Sequence, residues 1–311
     1  MSHKQRYIDY CQTHTVPLFL RPEWLDAAET PWHVLYQEQN ECSAYWVYHL
    51  DTKWGLRFIR NPHLTPYTGF VFSNPHIDET NQQALIEALW KKGPAFDVLD
   101  IDLTLNIQHL PSLSGIQVLK KRSNLLTLTS AEDVYQQCKP ALKRQIRKAD
   151  KHLIVVEKDD ISLFYALHIK TFEKQKKRPN ISLADYERYW QLCKTLHCGK
   201  LFFIRDVAGN YQASLWMVYD EDTAYYLAGG TDHQFYGSGA MSKLMWHAIQ
   251  TAIDLQKTTF DFEGSMLPAV NQFFQNFSPQ EVSYFHLHQI NHFLYRWYQK
   301  MKGGILLKNG W

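Results

Sequence analysis

The 311-residue sequence predicts a mixed α/β protein of two domains, and three observations predict it. Strand-like and helix-like runs are interleaved rather than segregated; the length exceeds one average domain; and 45% hydrophobic residues can fill two cores. In the first part, to about Leu119, period-two apolar runs bounded by turn residues predict strands over 32–36, 44–50, 55–59, 70–72 and 97–101, with a helix over 81–92. The segment 61–69 holds two prolines and a glycine, which predicts a stiff surface loop presenting Thr65 and Tyr67 towards a cleft as candidate substrate contacts.

From Ser130 a second unit begins. Its pattern predicts a helix over 131–148, a strand over 153–157, helices over 161–175 and 183–196, and strands over 201–206, 211–219 and 223–228. The turn residues Ala208-Gly209-Asn210 and Asp220-Glu221-Asp222 join the last three strands as hairpins. A glycine loop, Gln234-Phe235-Tyr236-Gly237-Ser238-Gly239, follows and opens a helix whose Met241, Leu244, Met245, Ala248, Ile249, Ala252 and Ile253 form one apolar stripe. A strand over 259–262, a short helix over 270–276, a strand over 282–288 and an aromatic helix over 292–302 complete the chain.

The helix after the loop is a crossover, so the strand at 259–262 is expected parallel to the one at 223–228, with a crevice where their ends diverge. Glycines at 237 and 239 permit a tight turn that aims backbone N–H groups at an anion, and the helix dipole adds to the attraction. The amides of residues 234–240 are thus expected to hold a diphosphate. Neither the Gly-x-Gly-x-x-Gly dinucleotide pattern nor the Lys-Ser/Thr pair of a nucleotide-triphosphate loop is present.

Composition narrows the partners. A formal net charge of +2 does not indicate binding to long duplex nucleic acid. No apolar run is long enough to span a membrane and the first residues lack a secretion signal, so a cytoplasmic protein is expected. Five scattered cysteines suit a reducing compartment, and the spacing of Cys193 and Cys198 does not fit tetrahedral zinc. His286 and His288 share a strand face, but no carboxylate stands at a matching spacing, so ordinary satisfied side chains and no metal are expected.

The order of elements, with Gln234-x-x-Gly237-x-Gly239 between strand and helix, resembles the GNAT superfamily of acyltransferases. The basic helix around Lys143-Arg144-Gln145-Ile146-Arg147-Lys148, the stretch Tyr225–Asp232, and Phe260-Asp261-Phe262-Glu263-Gly264-Ser265 followed by Phe273-Phe274 look like its Fem-type branch. That resemblance covers about 130–289. It implies tandem GNAT-like domains built on mixed sheets, a degenerate one over 1–125 and an acyltransferase domain over 126–311. It also implies a cofactor loop formed by Gln234, Gly237, Ser238, Gly239 and Ala240, with acetyl-CoA or another acyl-CoA as donor. The long helical arm of the peptidoglycan-bridge enzymes is absent, and the position of the family's tyrosine acid offers Phe273 and Phe274; Tyr236 and Tyr284 are conceivable substitutes.

Strand alternation places Asp261 and Glu263 on one face, where Glu263 is the candidate catalytic group, Asp261 a contact to substrate or backbone, and Ser265 a further substrate contact. The acceptor is expected to be a small-molecule amine presented in an interdomain cleft. Two basic runs, one on the helix with Lys139, Lys143, Arg144, Arg147, Lys148 and Lys151 and one at Lys174, Lys176, Lys177 and Arg178, suit either a solvated surface or tRNA. The tRNA option corresponds to a Fem-type transfer from aminoacyl-tRNA to a peptidoglycan precursor. A third reading is a non-catalytic binding module.

Overall fold

The computed structural model describes residues 1–107, 109–173, 181–264 and 267–301. They divide into two compact units, Met1–Arg122 with Val282–Trp311, and Ser123–Glu281. The strand over 280–290, from Val282 on, and the helix after it group with the first unit.

The first unit contains α1 (His3–Thr13), α2 (Pro22–Ala27), β1 (Trp32–Gln39), β2 (Cys42–Lys53), β3 (Leu56–Arg60), β4 (Gly69–Phe72), α3 (Glu79–Lys91) and β5 (Val98–Asp102). The strand β6 (Gln117–Thr127) begins there and runs into the second unit. In the first unit the strands are ordered β1-β2-β3-β5-β12, with β4 also on β2 and β12 (Gln280–Ile290) returning from the far end of the sequence. One core of this unit holds Trp46, Phe70, Ile86 and Leu99; another holds Tyr7, Leu25, Trp32 and Val47. Polar caps start the helices where the sequence supplies them: the carboxylate of Asp78 accepts from the Asn81 amide at α3.

Two short helices, α1 and α2, escape the sequence reading because α1 buries only Tyr7 and so shows no apolar stripe. The antiparallel register of β12 on β5 sets His286 opposite Asp102 and His288 opposite Asp100. The carboxylates that linear spacing does not provide therefore come from the neighbouring strand. This corrects the expectation of two ordinary histidines.

The second unit contains α4 (Ala131–Gln137), α5 (Pro140–Asp150), β7 (Leu153–Glu157), α6 (Ile161–Glu173), α7 (Leu183–Leu196), β8 (Gly199–Asp206), β9 (Tyr211–Tyr219) and β10 (Thr223–Thr231). Next come α8 (Ala240–Asp254), β11 (Thr259–Asp261) and α9 (Pro268–Phe274); α10 (Phe293–Met301) closes the chain in the first unit. The strand order is β6-β11-β10-β9-β8-β7, antiparallel except for the parallel pair β10–β11 that the crossover helix α8 requires. The single helix expected over 131–148 is two, because Lys139 is extended and Pro140 starts a new helix at its first position. The stripe of α8 is buried as expected, with Leu244, Met245, Ala248, Ile249 and Ala252 in the core beside Phe202, Leu215 and Phe260.

Candidate functional site

The glycine loop lies between β10 and α8. Gly237 and Gly239 both adopt left-handed backbone, at φ 88° and 84°. Their reasons differ. A Cβ on Gly237 would meet nothing within 4 Å, whereas one on Gly239 would lie 2.5 Å from the Gln145 carbonyl oxygen. Gly239 is thus a packing glycine that lets α5 close on the start of α8, whereas Gly237 stands in open space.

Five of the seven amides in 234–240 are used inside the loop. Asp232 takes those of Gln234 (by Oδ1, 3.1 Å) and Phe235 (by its carbonyl, 3.0 Å); Tyr236 bonds His233, Ser238 bonds Phe235, and Ala240 bonds the Ser238 hydroxyl. The expected cradle of convergent amides is accordingly narrower than the motif suggests. The amides of Gly237, Gly239, Met241 and Ser242 make no hydrogen bond among the described residues. These four flank the positive end of the helix dipole, since α8 has no side-chain cap. Lys148 of α5 reaches the same loop, its Nζ donating to the Gly237 carbonyl at 2.9 Å. No sequence spacing links residues 148 and 237, and only the packing of α5 on α8 reveals the contact.

Asp232 anchors the loop from below. Burial alone would raise its carboxyl, but the Lys170 ammonium, in contact with it, and the Gln234 amide hold it below its ordinary value and ionised.

The parallel pairing is short. Pairing of β10 with β11 ends at Tyr225–Asp261, while β10 runs on to Thr231 along β9 with a bulge between Tyr226 and Ala228. Leu227 is the extra residue of that bulge and faces no ladder partner. Further along, α6 closes the edge: His168 donates from Nδ1 to the Gly229 carbonyl at 2.9 Å, and Thr171 accepts from the Thr231 amide. Burial keeps His168 below its ordinary pKa, so it is the neutral imidazole that makes this bond. The open stretch is therefore Tyr226–Ala228.

Tyr226 is the residue that sequence reasoning missed. Its ring lies along the strand against Gly229, where an added Cβ would be 2.5 Å from the phenol oxygen. It meets Phe274 of α9 edge-on at 5.8 Å. Its hydroxyl makes no hydrogen bond among the described residues, and burial raises its pKa, so it stays protonated. Gly229, which permits this lie of the ring, was the signal available in the sequence, while Gly230 lets the backbone of α6 approach at Leu167 and His168.

At the end of β11 the alternation that would put Asp261 and Glu263 on one face stops, because Glu263 takes left-handed backbone at φ 52°. The buried Asp261 carboxylate holds this turn: its Oδ1 accepts from the Ser123 hydroxyl and from the Glu263 amide, each at 2.8 Å. Asp261 is thus engaged with its own chain rather than with a substrate. A non-glycine residue in this conformation costs about 1–3 kcal/mol, and such strain concentrates where a side chain must be aimed. Glu263 keeps its candidate role on that ground. Ser265 lies outside the described residues.

Burial pushes the Asp261 carboxyl up to about 6, against the lowering effect of its two hydrogen bonds. With a folded value above the unfolded 3.8, the native state keeps a proton that the unfolded chain has lost. Stability is accordingly expected to fall as pH rises from about 4 to 6, by about 3 kcal/mol in total. Urea unfolding across that window checks it: Asp261→Asn, which still accepts both bonds, should flatten the slope, and parallel curves for the two proteins would refute it.

Thr65 and Tyr67 lie in the first unit. Thr65 is fully buried, its hydroxyl accepting from the Trp24 indole at 3.3 Å, and Tyr67 packs edge-on against Phe19. Thr65 is therefore part of the core and not a substrate contact. The loop folds inward at Thr65, under the Trp24 indole. On α5, Arg144, Arg147 and Lys148 are exposed, and Lys151 follows them; the second basic run at 174–178 lies outside the described residues. A groove of about 740 Å³ lined by Tyr135, Asp150, Lys243 and Trp246 shares no residue with the glycine loop.

Residues 136–275 match the family model described as Acetyltransferase (GNAT) domain. No curated protein sequence matches the chain. Among solved structures, the fold is similar to that of FemX, at 12% identity with a TM-score of 0.66 over 94% of this chain and 97% of that one. It is also similar to the C-terminal domain of a lysylphosphatidylglycerol synthetase from Agrobacterium fabrum (13% identity, TM-score 0.54, covering 88% and 89%). L-PGS from Bacillus licheniformis shares 10% identity at a TM-score of 0.51, covering 90% and 95%. At these identities the likeness is one of fold. The match over 136–275 and the likeness to these solved structures together show a GNAT-like fold on a mixed α/β scaffold. No helix among the described residues is long and apolar enough to cross a membrane.

Proposed function

We propose that this GNAT-fold acyltransferase moves an acyl group from acyl-CoA, acetyl-CoA in the simplest case, to the amine of a small molecule. The observation that carries the reading is the conjunction of four unengaged amides at the start of α8 with the Lys148 ammonium, in the loop that follows β10. A diphosphate fits such a place. The thioester arm would then lie along the open stretch Tyr226–Ala228, where the bulged backbone at Leu227 can donate to the carbonyl oxygen as it gains charge.

In the transfer, the neutral amine attacks the thioester carbon, the N–C bond forms and the C–S bond breaks. Glu263 accepts the proton of the attacking amine, and the Tyr226 hydroxyl supplies one to the departing thiolate sulfur, to be replaced from solvent. Tyr226 takes the place of the tyrosine acid absent from α9, whose lack motivated a non-catalytic reading.

Lys148→Ala tests the donor site. A charge-assisted hydrogen bond contributes about 1.5–3 kcal/mol, so the Kd for acetyl-CoA is expected to rise about 10- to 100-fold in isothermal titration. Equal affinity in both proteins would remove the loop from the proposal. A second reading, transfer from aminoacyl-tRNA, is favoured by Arg144 and Arg147, which extend the positive face of α5 outward from Lys148. Its mark would be tRNA affinity that falls steeply with salt and drops in an Arg144→Glu, Arg147→Glu protein, with no heat from acetyl-CoA.

A further inference from the structure

We propose that Asp100, His286 and His288 form a divalent metal site of the zinc type in the first unit, clasping β12 to β5. Three ligand atoms face one another there. Asp100 Oδ1 lies 3.2 Å from His286 Nε2 and 3.4 Å from His288 Nδ1, and all three atoms fall within 4.8 Å. Ligands bonded to one tetrahedral zinc at about 2.0–2.1 Å stand about 3.3–3.4 Å apart along each edge. The two short edges match that spacing.

Well-aligned hydrogen bonds do not satisfy the whole cluster, although, against the raising effect of burial, both imidazoles lie close enough to Asp100 to hold its carboxyl down to about 2. Asp100 Oδ1 and His288 Nδ1 are buried atoms with no hydrogen-bond partner among the described residues. A carboxylate oxygen so placed calls for a cation, since buried polar groups are almost always satisfied. The other ring nitrogen of His286, Nδ1, donates to Asp102 at 2.8 Å, which turns the Nε2 lone pair towards Asp100. Asp102 is itself held by the Lys121 ammonium at 2.9 Å. This carboxylate-histidine arrangement is how ligating imidazoles are oriented and made more basic. Protons on the two rings would each serve one contact with Asp100, whereas a divalent ion serves all three atoms together. Side-chain exposure of 26% at Asp100 and 13% at His288 leaves a fourth position to water.

The role follows from connectivity. β12 reaches the first unit only after the whole of the second has intervened, and an ion bound by residues 100, 286 and 288 would tie the returning strand into its register. The proposal does not depend on the acyltransfer reading, and its test needs no substrate.

Full-length protein, stripped with EDTA, is titrated with Zn²⁺ against a chromophoric chelator, and with Co²⁺ for its visible spectrum. One ion per chain is expected, with a Co²⁺ spectrum of four-coordinate nitrogen and oxygen ligation. Asp100→Asn and His288→Gln should each weaken Zn²⁺ at least 100-fold, and Asp102→Asn by about 10- to 100-fold through loss of ligand orientation. Zn²⁺ should raise the melting temperature of the stripped wild type. Affinity unchanged in Asp100→Asn and His288→Gln, or a wild type that takes up no Zn²⁺, would overturn the proposal. Should a variant not fold, ¹⁵N-histidine spectra of the wild type decide: Zn²⁺ must shift the rings of His286 and His288, and shifts confined to other histidines refute the site.

Discussion

Tyr226→Phe is expected to lower kcat for acyl transfer by about 10²- to 10⁴-fold while leaving the Kd for acetyl-CoA within about twofold, the range associated with loss of a positioned general acid. The substitution removes only the oxygen. The ring would keep its place over Gly229 and its edge contact with Phe274, because neither depends on the hydroxyl, which has no partner to lose. The raised pKa of Tyr226 means that wild type keeps its proton well above neutral pH. A donor with a better leaving group, such as an aryl thioester, should restore much of the lost rate, since its thiolate departs without a proton. A mutant as active as wild type with acetyl-CoA would exclude Tyr226 from the chemistry. A mutant equally impaired with both donors would assign it to positioning instead.

Gly239→Ala should destabilise the protein by about 3 kcal/mol, combining the cost of left-handed backbone for a residue with a Cβ and that of overpacking. The added carbon would stand 2.5 Å from the Gln145 carbonyl oxygen, a backbone atom of α5 that cannot swing aside. Gly237→Ala meets open space and should cost only about 1 kcal/mol from its backbone conformation. Denaturant midpoints of the two proteins decide the point. The ligand response should be reversed in importance: the folded Gly237→Ala protein is expected to bind acetyl-CoA more weakly, because its new methyl group occupies the approach to the free amides. Similar midpoints would mean that α5 can withdraw from α8, and the tight packing inferred at Gly239 would be wrong.

The different fates of these two glycines show where the sequence was legible. Two left-handed positions before an apolar-striped helix were readable from Gln234 to Ile253, because φ preference and helical period are local properties. So was the parallel pair β10–β11, which a crossover helix dictates. Which amides stay free was not readable, since the answer depends on Asp232 and Ser238 bonding within a folded turn. The same limit applies to Glu263, whose side chain was expected to follow the strand alternation although the strand ends at Asp261. Thr65 failed for another reason: prolines fix backbone angles but do not say which way a loop folds, and here Trp24 holds the threonine inside.

By itself, then, the sequence determined the class of fold, the position and glycine chemistry of the loop, the stripe of α8 and the resemblance to GNAT acyltransferases, because each rests on local patterns and on their order along the chain. The tertiary structure alone decided that Lys148 joins the loop, that the Tyr226 ring meets Phe274 of α9, and that Asp100 and Asp102 face His286 and His288. These contacts join residues far apart in the chain, and strand register and helix packing, not local propensity, bring them together.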